Sequence, residues 1–186
     1  MSENLMLKWN ALLETEKQQC SLMSEAERFA YFLLLQFKSP YSWGKENPLG
    51  ADCSGAVCLA LNMATGLKVR TTADGLYRLF FWVKKTLVSD ILAAFFITRN
   101  DVKHGEGRAR KGTAIHVAGL VGEGVVLNMG MPSAQVRTLD SLRTEYHFRD
   151  CNMEVRGLDR KALEKAAREK KELFGLDEEL KQYGLY

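Results

Sequence analysis

The chain has 186 residues, 46% of them hydrophobic, with 26 basic against 23 acidic side chains and a net charge of +3. This is enough apolar material for a globular core, which excludes a disordered chain. No run of about 18 apolar residues is present to make a transmembrane helix, and so small a charge gives no case for nucleic-acid binding.

In chain order, Leu5 to about Gln18 has the spacing of an amphipathic helix. Ser24-Glu25-Ala26-Glu27 is a capping box. It opens a second helix that continues through Tyr31 to Phe37, where Ser39-Pro40 stops it. A turn-rich run from Pro40 to Ala51 leads to Asp52, an N-cap for a helix from Cys53 to Thr65 that ends at Gly66. Asp74 to Lys85 carries Leu76, Leu79, Phe80 and Val83 at helical spacing. Strands are expected around 93–98, 114–121, 125–129, 145–148 and 153–156. Between the first two of these lies a basic, glycine-containing loop, 99–112, with Lys103, His104, Arg108, Arg110 and Lys111. It reads first as a solvated, mobile loop and second as a contact for carboxylates of an acidic peptide. Asp159 caps a last charged helix from Arg160 to Phe174, ended by Gly175. Its apolar side is Leu163, Ala166, Ala167, Leu173 and Phe174. Helices followed by an antiparallel sheet give an α+β class. The expected organisation is one globular domain: a helical extension over 1–38, a core over 39–157 and a second helical extension over 158–186.

The chemistry centres on Asp52-Cys53-Ser54-Gly55. A cysteine in the first turn of a helix sits among unpaired N–H groups at the positive end of the dipole, and both favour the nucleophilic thiolate. Downstream, Ala114 to Val121 and Val125 to Met129 read as a hairpin around Gly122-Glu123-Gly124. With Val121 facing Val125, Ala118 faces Asn128, and His116 and Asn128 share one face as diagonal neighbours about 7–8 Å apart at the backbone. Asn128 can then hold one imidazole nitrogen while the other serves Cys53, a Cys-His-Asn arrangement. A register slip of one residue would separate them. Taken singly, Cys53 reads as a small buried hydrophobe and His116 as a core histidine bonded to backbone; the constellation carries the weight. His104 reads as solvated, and His147 has no obvious partner.

Cys20, Cys53, Cys58 and Cys151 show neither a Cys-x-x-Cys pair nor zinc spacing. A disulfide framework and a metal site are therefore not expected, and Cys58 reads as core-facing. The segment from Met1 lacks a basic, apolar leader, so no cleavable signal peptide is expected. Cytoplasmic synthesis is therefore expected.

These pieces together resemble the NlpC/P60 papain-like cysteine peptidases. The resemblance rests on Tyr41-Ser42-Trp43-Gly44, Asp52-Cys53-Ser54-Gly55, Arg70-Thr71-Thr72-Ala73, Leu92 to Phe96, His116-Val117-Ala118-Gly119-Leu120 and Asn128. It covers roughly 29–155. Lys45 departs from the family's second glycine and, lying near the expected cleft, is a candidate for altered substrate choice. Ala118-Gly119 stands where Gly-Ile is usual, and Asn128 where histidine is frequent. The resemblance implies a papain-like sheet packed against the helix of Cys53. It also implies catalysis by Cys53, His116 and Asn128 without a cofactor or metal. Tyr41, Ser54 and the Cys53 N–H would lie by the substrate or oxyanion, with capping the main part of Ser54. Asp52, Trp43 and Gly55 would be structural, Trp43 by packing. The implied substrate is a peptidoglycan stem peptide, cut between γ-D-glutamate and the diamino acid, by an endolysin or a delivered effector. Alternatives are an amidase or acyltransferase with the same triad, and a silent module that binds wall fragments.

Overall fold

The computed structural model describes residues 22–47, 49–84, 90–105 and 107–173. The expected helix over 5–18 and the stop at Gly175 lie outside them. Helix α1, Glu25–Leu34, starts at the expected capping box: Ser24 Oγ accepts from the Glu27 N–H, and the Glu27 carboxylate accepts from the Ser24 N–H. Two short strands, β1 (Glu46–Asn47) and β2 (Gly50–Ala51), lead into α2, Cys53–Thr65. Asp52 caps its start and Gly66, at φ +72°, its end. Helix α3 covers Ala73–Leu79, shorter than its spacing predicts. Phe80 already leaves the helix, and Val83 pairs with Gly157 instead, so backbone pairing overrides the apolar periodicity.

Strand β3 (Leu92–Thr98) is followed by a hairpin, β4 (Val102–His104) and β5 (Gly107–Ala109), then by β6 (Ala114–Gly122), β7 (Val125–Met129) and β8 (Ala134–Thr138). Helix α4 is Leu139–Phe148, strand β9 Cys151–Gly157 and helix α5 Arg160–Leu173. The expected strand over 145–148 is therefore wrong. Thr138 accepts from the Ser141 N–H as N-cap, and Leu142 and Tyr146, four apart, bury one helical face. The expected loop 99–112 is likewise folded: it contains the β4–β5 hairpin, and Thr98 Oγ1 donates to the Arg110 carbonyl at 2.7 Å.

The antiparallel sheet has the order β8-β7-β6-β3-β9, the α+β arrangement expected. Each strand alternates between two cores. Phe95 and Val117 face one side with Phe29 and Leu33 of α1 and Val57 and Leu61 of α2. Ala94, Phe96 and Ala118 face the other with Leu142 and Tyr146 of α4. Gly119 is where α1 closes on β6; a Cβ there would lie 2.3 Å from Leu33. Helix α5 docks through the fully buried Leu163, and Arg160 pairs with Glu25 of α1 at 2.9 Å. Among the described residues no helix is long and apolar enough to cross a membrane.

Candidate active site

A cleft of about 1200 Å³ holds Cys53, His116 and Asn128 together in its lining. Each is brought there by a different device. Cys53 is the first residue of α2, fixed by its cap. Asp52 Oδ1 accepts from the Gly55 N–H at 2.6 Å and from Ser54 Oγ at 2.8 Å. Asp52 Oδ2 accepts from the Gly44 N–H at 2.9 Å and from Arg70 at 3.2 Å. Arg70 also donates to Ser54 Oγ and pairs with Glu46. Ser54 thus spends its hydroxyl on the cap network. Gly55 is required by close approach, since a Cβ would meet the Lys45 carbonyl oxygen at 2.1 Å. That carbonyl accepts from the Asp52 N–H. The Lys45 side chain is exposed and not part of the cleft lining, so Lys45 acts here through its backbone.

His116 follows a bulge in β6. Phe96 pairs with His116 and Ile97 with Ala114, which leaves Ile115 between ladder positions. The imidazole stacks on Tyr146 of α4, centroids 5.0 Å apart and planes 17° from parallel, and Phe96 packs against both rings, 4.1 Å from Tyr146 and 5.6 Å from His116. Asn128 comes from β7. The β6–β7 ladder is in the expected register, with Gly119 opposite Leu127, although the turn differs: Gly122 pairs with Val125 and Val121 bulges. His116 Nε2 and Asn128 Oδ1 are 2.7 Å apart. Oδ1 only accepts, so Nε2 carries the proton and Nδ1 presents its lone pair.

Burial favours the neutral form of each group. It pushes the Cys53 thiol up to about 11, against the backbone N–H groups of Val117, Ser54 and Cys53 that pull it down. It pushes His116 down to about 4, against the bond to Asn128. Desolvation of the sulfur thus opposes the preference for thiolate that the helix terminus supplies. The Tyr41 and Tyr146 hydroxyls are both pushed up, first by burial and then by the nearby Cys53 charge, and stay protonated donors. Tyr41 is held by its N–H to the Pro132 carbonyl at 2.9 Å.

Trp43 is not packing: it is 66% exposed and lines the cleft. Its indole faces His104 of the hairpin at 5.6 Å, so His104 is partly covered rather than solvated. Tyr146 was not anticipated as a site residue; the helical spacing of Leu139, Leu142 and Tyr146 after Thr138 is the signal that finds it. Among the described residues no group of three or more His, Cys, Asp or Glu is placed to hold a metal ion, and Cys53, Cys58 and Cys151 are free thiols.

The helix bearing Cys53 against an antiparallel sheet bearing His116 matches solved structures. The chain aligns with NlpC1 of Trichomonas vaginalis at TM-score 0.50 and 16% identity, over 72% of its own length and 44% of that protein. It aligns with a lipoprotein-like NLP/P60 family protein of Staphylococcus aureus at TM-score 0.53 and 19% identity, over 71% and 40%. The chain has the NlpC/P60 fold. A third NlpC/P60 structure, RipD of Mycobacterium tuberculosis, aligns at TM-score 0.51 and 19% identity over 74% of this chain and 98% of that one. RipD is a non-catalytic domain adapted to peptidoglycan binding. The chain thus spans less than half the length of the first two NlpC/P60 proteins. No protein-family model and no curated protein sequence matches it.

Proposed function

We propose that the chain is a cysteine peptidase that hydrolyses an amide of peptidoglycan stem peptides, at the γ-D-glutamyl–diamino acid bond. The observation that carries this reading is the 2.7 Å His116–Asn128 bond in the cleft that holds the Cys53 thiol. With Nε2 committed to Asn128, Nδ1 is the base. Cys53 Sγ attacks the carbonyl carbon as its proton passes to Nδ1, and the oxyanion is met by the Cys53 N–H and the Tyr41 hydroxyl. His116 then protonates the leaving amine. It next takes a proton from water, which attacks the thioester and releases the acid and the free thiol. Asn128 holds the imidazole tautomer throughout. The choice of bond rests on likeness of motif and fold.

A module that binds wall fragments without turnover, the role RipD has, is the second reading; the burial that pushes the Cys53 thiol up is the feature that favours it. Mass spectrometry of a panel of γ-D-glutamyl peptides ending in diaminopimelate, ornithine or lysine, with wild type and Cys53→Ala, separates the two. Cleavage by wild type alone supports the peptidase. Equal cleavage by both removes Cys53 from the chemistry. Binding without cleavage supports the silent module, and transfer to an added amine ahead of hydrolysis supports an acyltransferase.

A further inference from the structure

Arg108 and Arg110 take no part in the chemistry above, yet both line the cleft that holds Cys53. They stand on and just after β5, in a hairpin that is fixed rather than loose. The Arg110 carbonyl accepts from Thr98 Oγ1 at 2.7 Å and from the Thr113 N–H at 3.1 Å. The Lys111 N–H donates to Asp101. At the hairpin tip, a Cβ on Gly105 would sit 3.8 Å from the Trp43 ring, so the hairpin rests against the opposite wall of the cleft.

The charges of the cleft are unevenly matched. Its carboxylates are each engaged already: Asp52 by Arg70 at 3.2 Å, Asp74 by Arg78 at 2.7 Å, and Glu145 by Arg149 at 3.0 Å and Arg137 at 3.3 Å. The guanidinium groups of Arg108 and Arg110 have no ion pair among the described residues, and both side chains are exposed. Arg137 and Arg149 share the one Glu145 carboxylate; the cations of the cleft with no ion pair among the described residues lie on the hairpin, in a concave surface that concentrates their field. Guanidinium groups match carboxylates in plane and in donor spacing.

We infer that Arg108 and Arg110 form an anion subsite that determines specificity by taking a carboxylate of the substrate beside the scissile amide. The substrate half of this statement rests on the peptidase reading; the anion half does not. The subsite distinguishes a free α-carboxylate on the glutamyl residue from its carboxamide, because the uncharged amide leaves both cations unanswered.

The anion half is read from alkylation of Cys53 by iodoacetate and by iodoacetamide, two reagents that differ in charge, with the label mapped to Cys53 by mass spectrometry. The expected ratio of the two rates exceeds that of free cysteine in the same buffer. It falls about tenfold in Arg108→Gln/Arg110→Gln, and the difference shrinks with added salt. An unchanged iodoacetamide rate reports that the variant is folded, and Arg108→Lys/Arg110→Lys should keep most of the ratio. A ratio that the Gln variant leaves unchanged overturns the subsite. The substrate half is read from paired γ-glutamyl peptides bearing α-carboxylate or α-carboxamide. Wild type should favour the carboxylate by about 10- to 100-fold in kcat/KM, and the Gln variant should treat the two alike. Equal cleavage of both by wild type overturns it. A charge-selective alkylation with no peptide cleaved keeps the subsite and overturns the peptidase.

Discussion

His116 and Asn128 meet through their side chains just beyond the point where the paired positions of their strands end. The β6–β7 ladder runs from Gly122–Val125 to Gly119–Leu127, and past it the 2.7 Å Nε2–Oδ1 bond joins the two strands instead. Val117, next to His116, turns its backbone N–H to the Cys53 sulfur. His116, Asn128 and Cys53 are thus gathered where the sheet opens.

Removing one end of that bond should cost less than removing the base. Asn128→Ala frees the imidazole to rotate and leaves Nε2 unpaired, a loss of about 1–3 kcal/mol, or roughly 10- to 100-fold in kcat. His116→Ala removes proton transfer and should cost at least about 1000-fold. Steady-state kinetics on a cleaved stem peptide check the order; the reverse order means that Asn128 is not the orienter.

Tyr146 should act through its ring. Tyr146→Phe keeps the stack on His116 and should hold kcat within about threefold, since no catalytic hydrogen bond is removed. Tyr146→Ala removes the ring that packs on both His116 and Phe96 and should cost about 3–5 kcal/mol of stability. Tyr146→Leu, closer in volume, tests the ring itself: kcat should fall while the melting temperature changes less than for the Ala variant.

Stability should have a plateau with two flanks. The folded-state value for His116, about 4, lies below its usual 6.5, so the unfolded chain takes the proton first and stability is lost as pH falls from 6.5 toward 4. The folded-state value for Cys53, about 11, lies above its usual 9.0, so stability is lost as pH rises from 9 toward 11. Urea midpoints across this range should show both flanks, the acid one shallower in His116→Gln and the alkaline one shallower in Cys53→Ala. Thiolate absorbance, taken as wild type minus Cys53→Ala, should be near zero around pH 7; a strong signal there would mean a resting ion pair.

Gly55→Ala should be disruptive despite the high helix propensity of alanine. Its Cβ would lie 2.1 Å from the Lys45 carbonyl oxygen, which is backbone and already bonded to the Asp52 N–H. We expect about 1–3 kcal/mol of destabilisation, together with loss of activity, because the segment that must yield adjoins the cap of α2. Equilibrium unfolding of the variant measures this.

What could be read from sequence divides along physical lines. Local signals were legible: the capping box at Ser24, Asp52 as the cap of the Cys53 helix, and Gly66 as its stop. The His116–Asn128 pairing was legible too, even with the turn misread. Taking Gly122-Glu123-Gly124 as the loop and pairing Val121 with Val125 gives the same alignment at Asn128 as the true two-residue turn followed by a bulge at Val121. Long-range packing was not legible. Tyr146-His147-Phe148 has strand propensity, and burial of Leu142 and Tyr146 against the sheet, added to the Thr138 cap, decides for the helix. The exposure of Trp43 and the fold of 102–109 depend on two distant segments meeting across the cleft. The protonation of Cys53 depends on how fully it is enclosed, which motif and spacing do not encode.

Asp52 has a wider consequence than starting a helix. One of its oxygens holds the first turn of α2 and the other holds Gly44, next to Trp43 at the rim, together with Arg70. The floor that carries the sulfur and the lip that carries the aromatic rings are therefore parts of one rigid jaw, pinned at a single carboxylate. Such a jaw admits ligands by gauge: its opening is set before anything arrives.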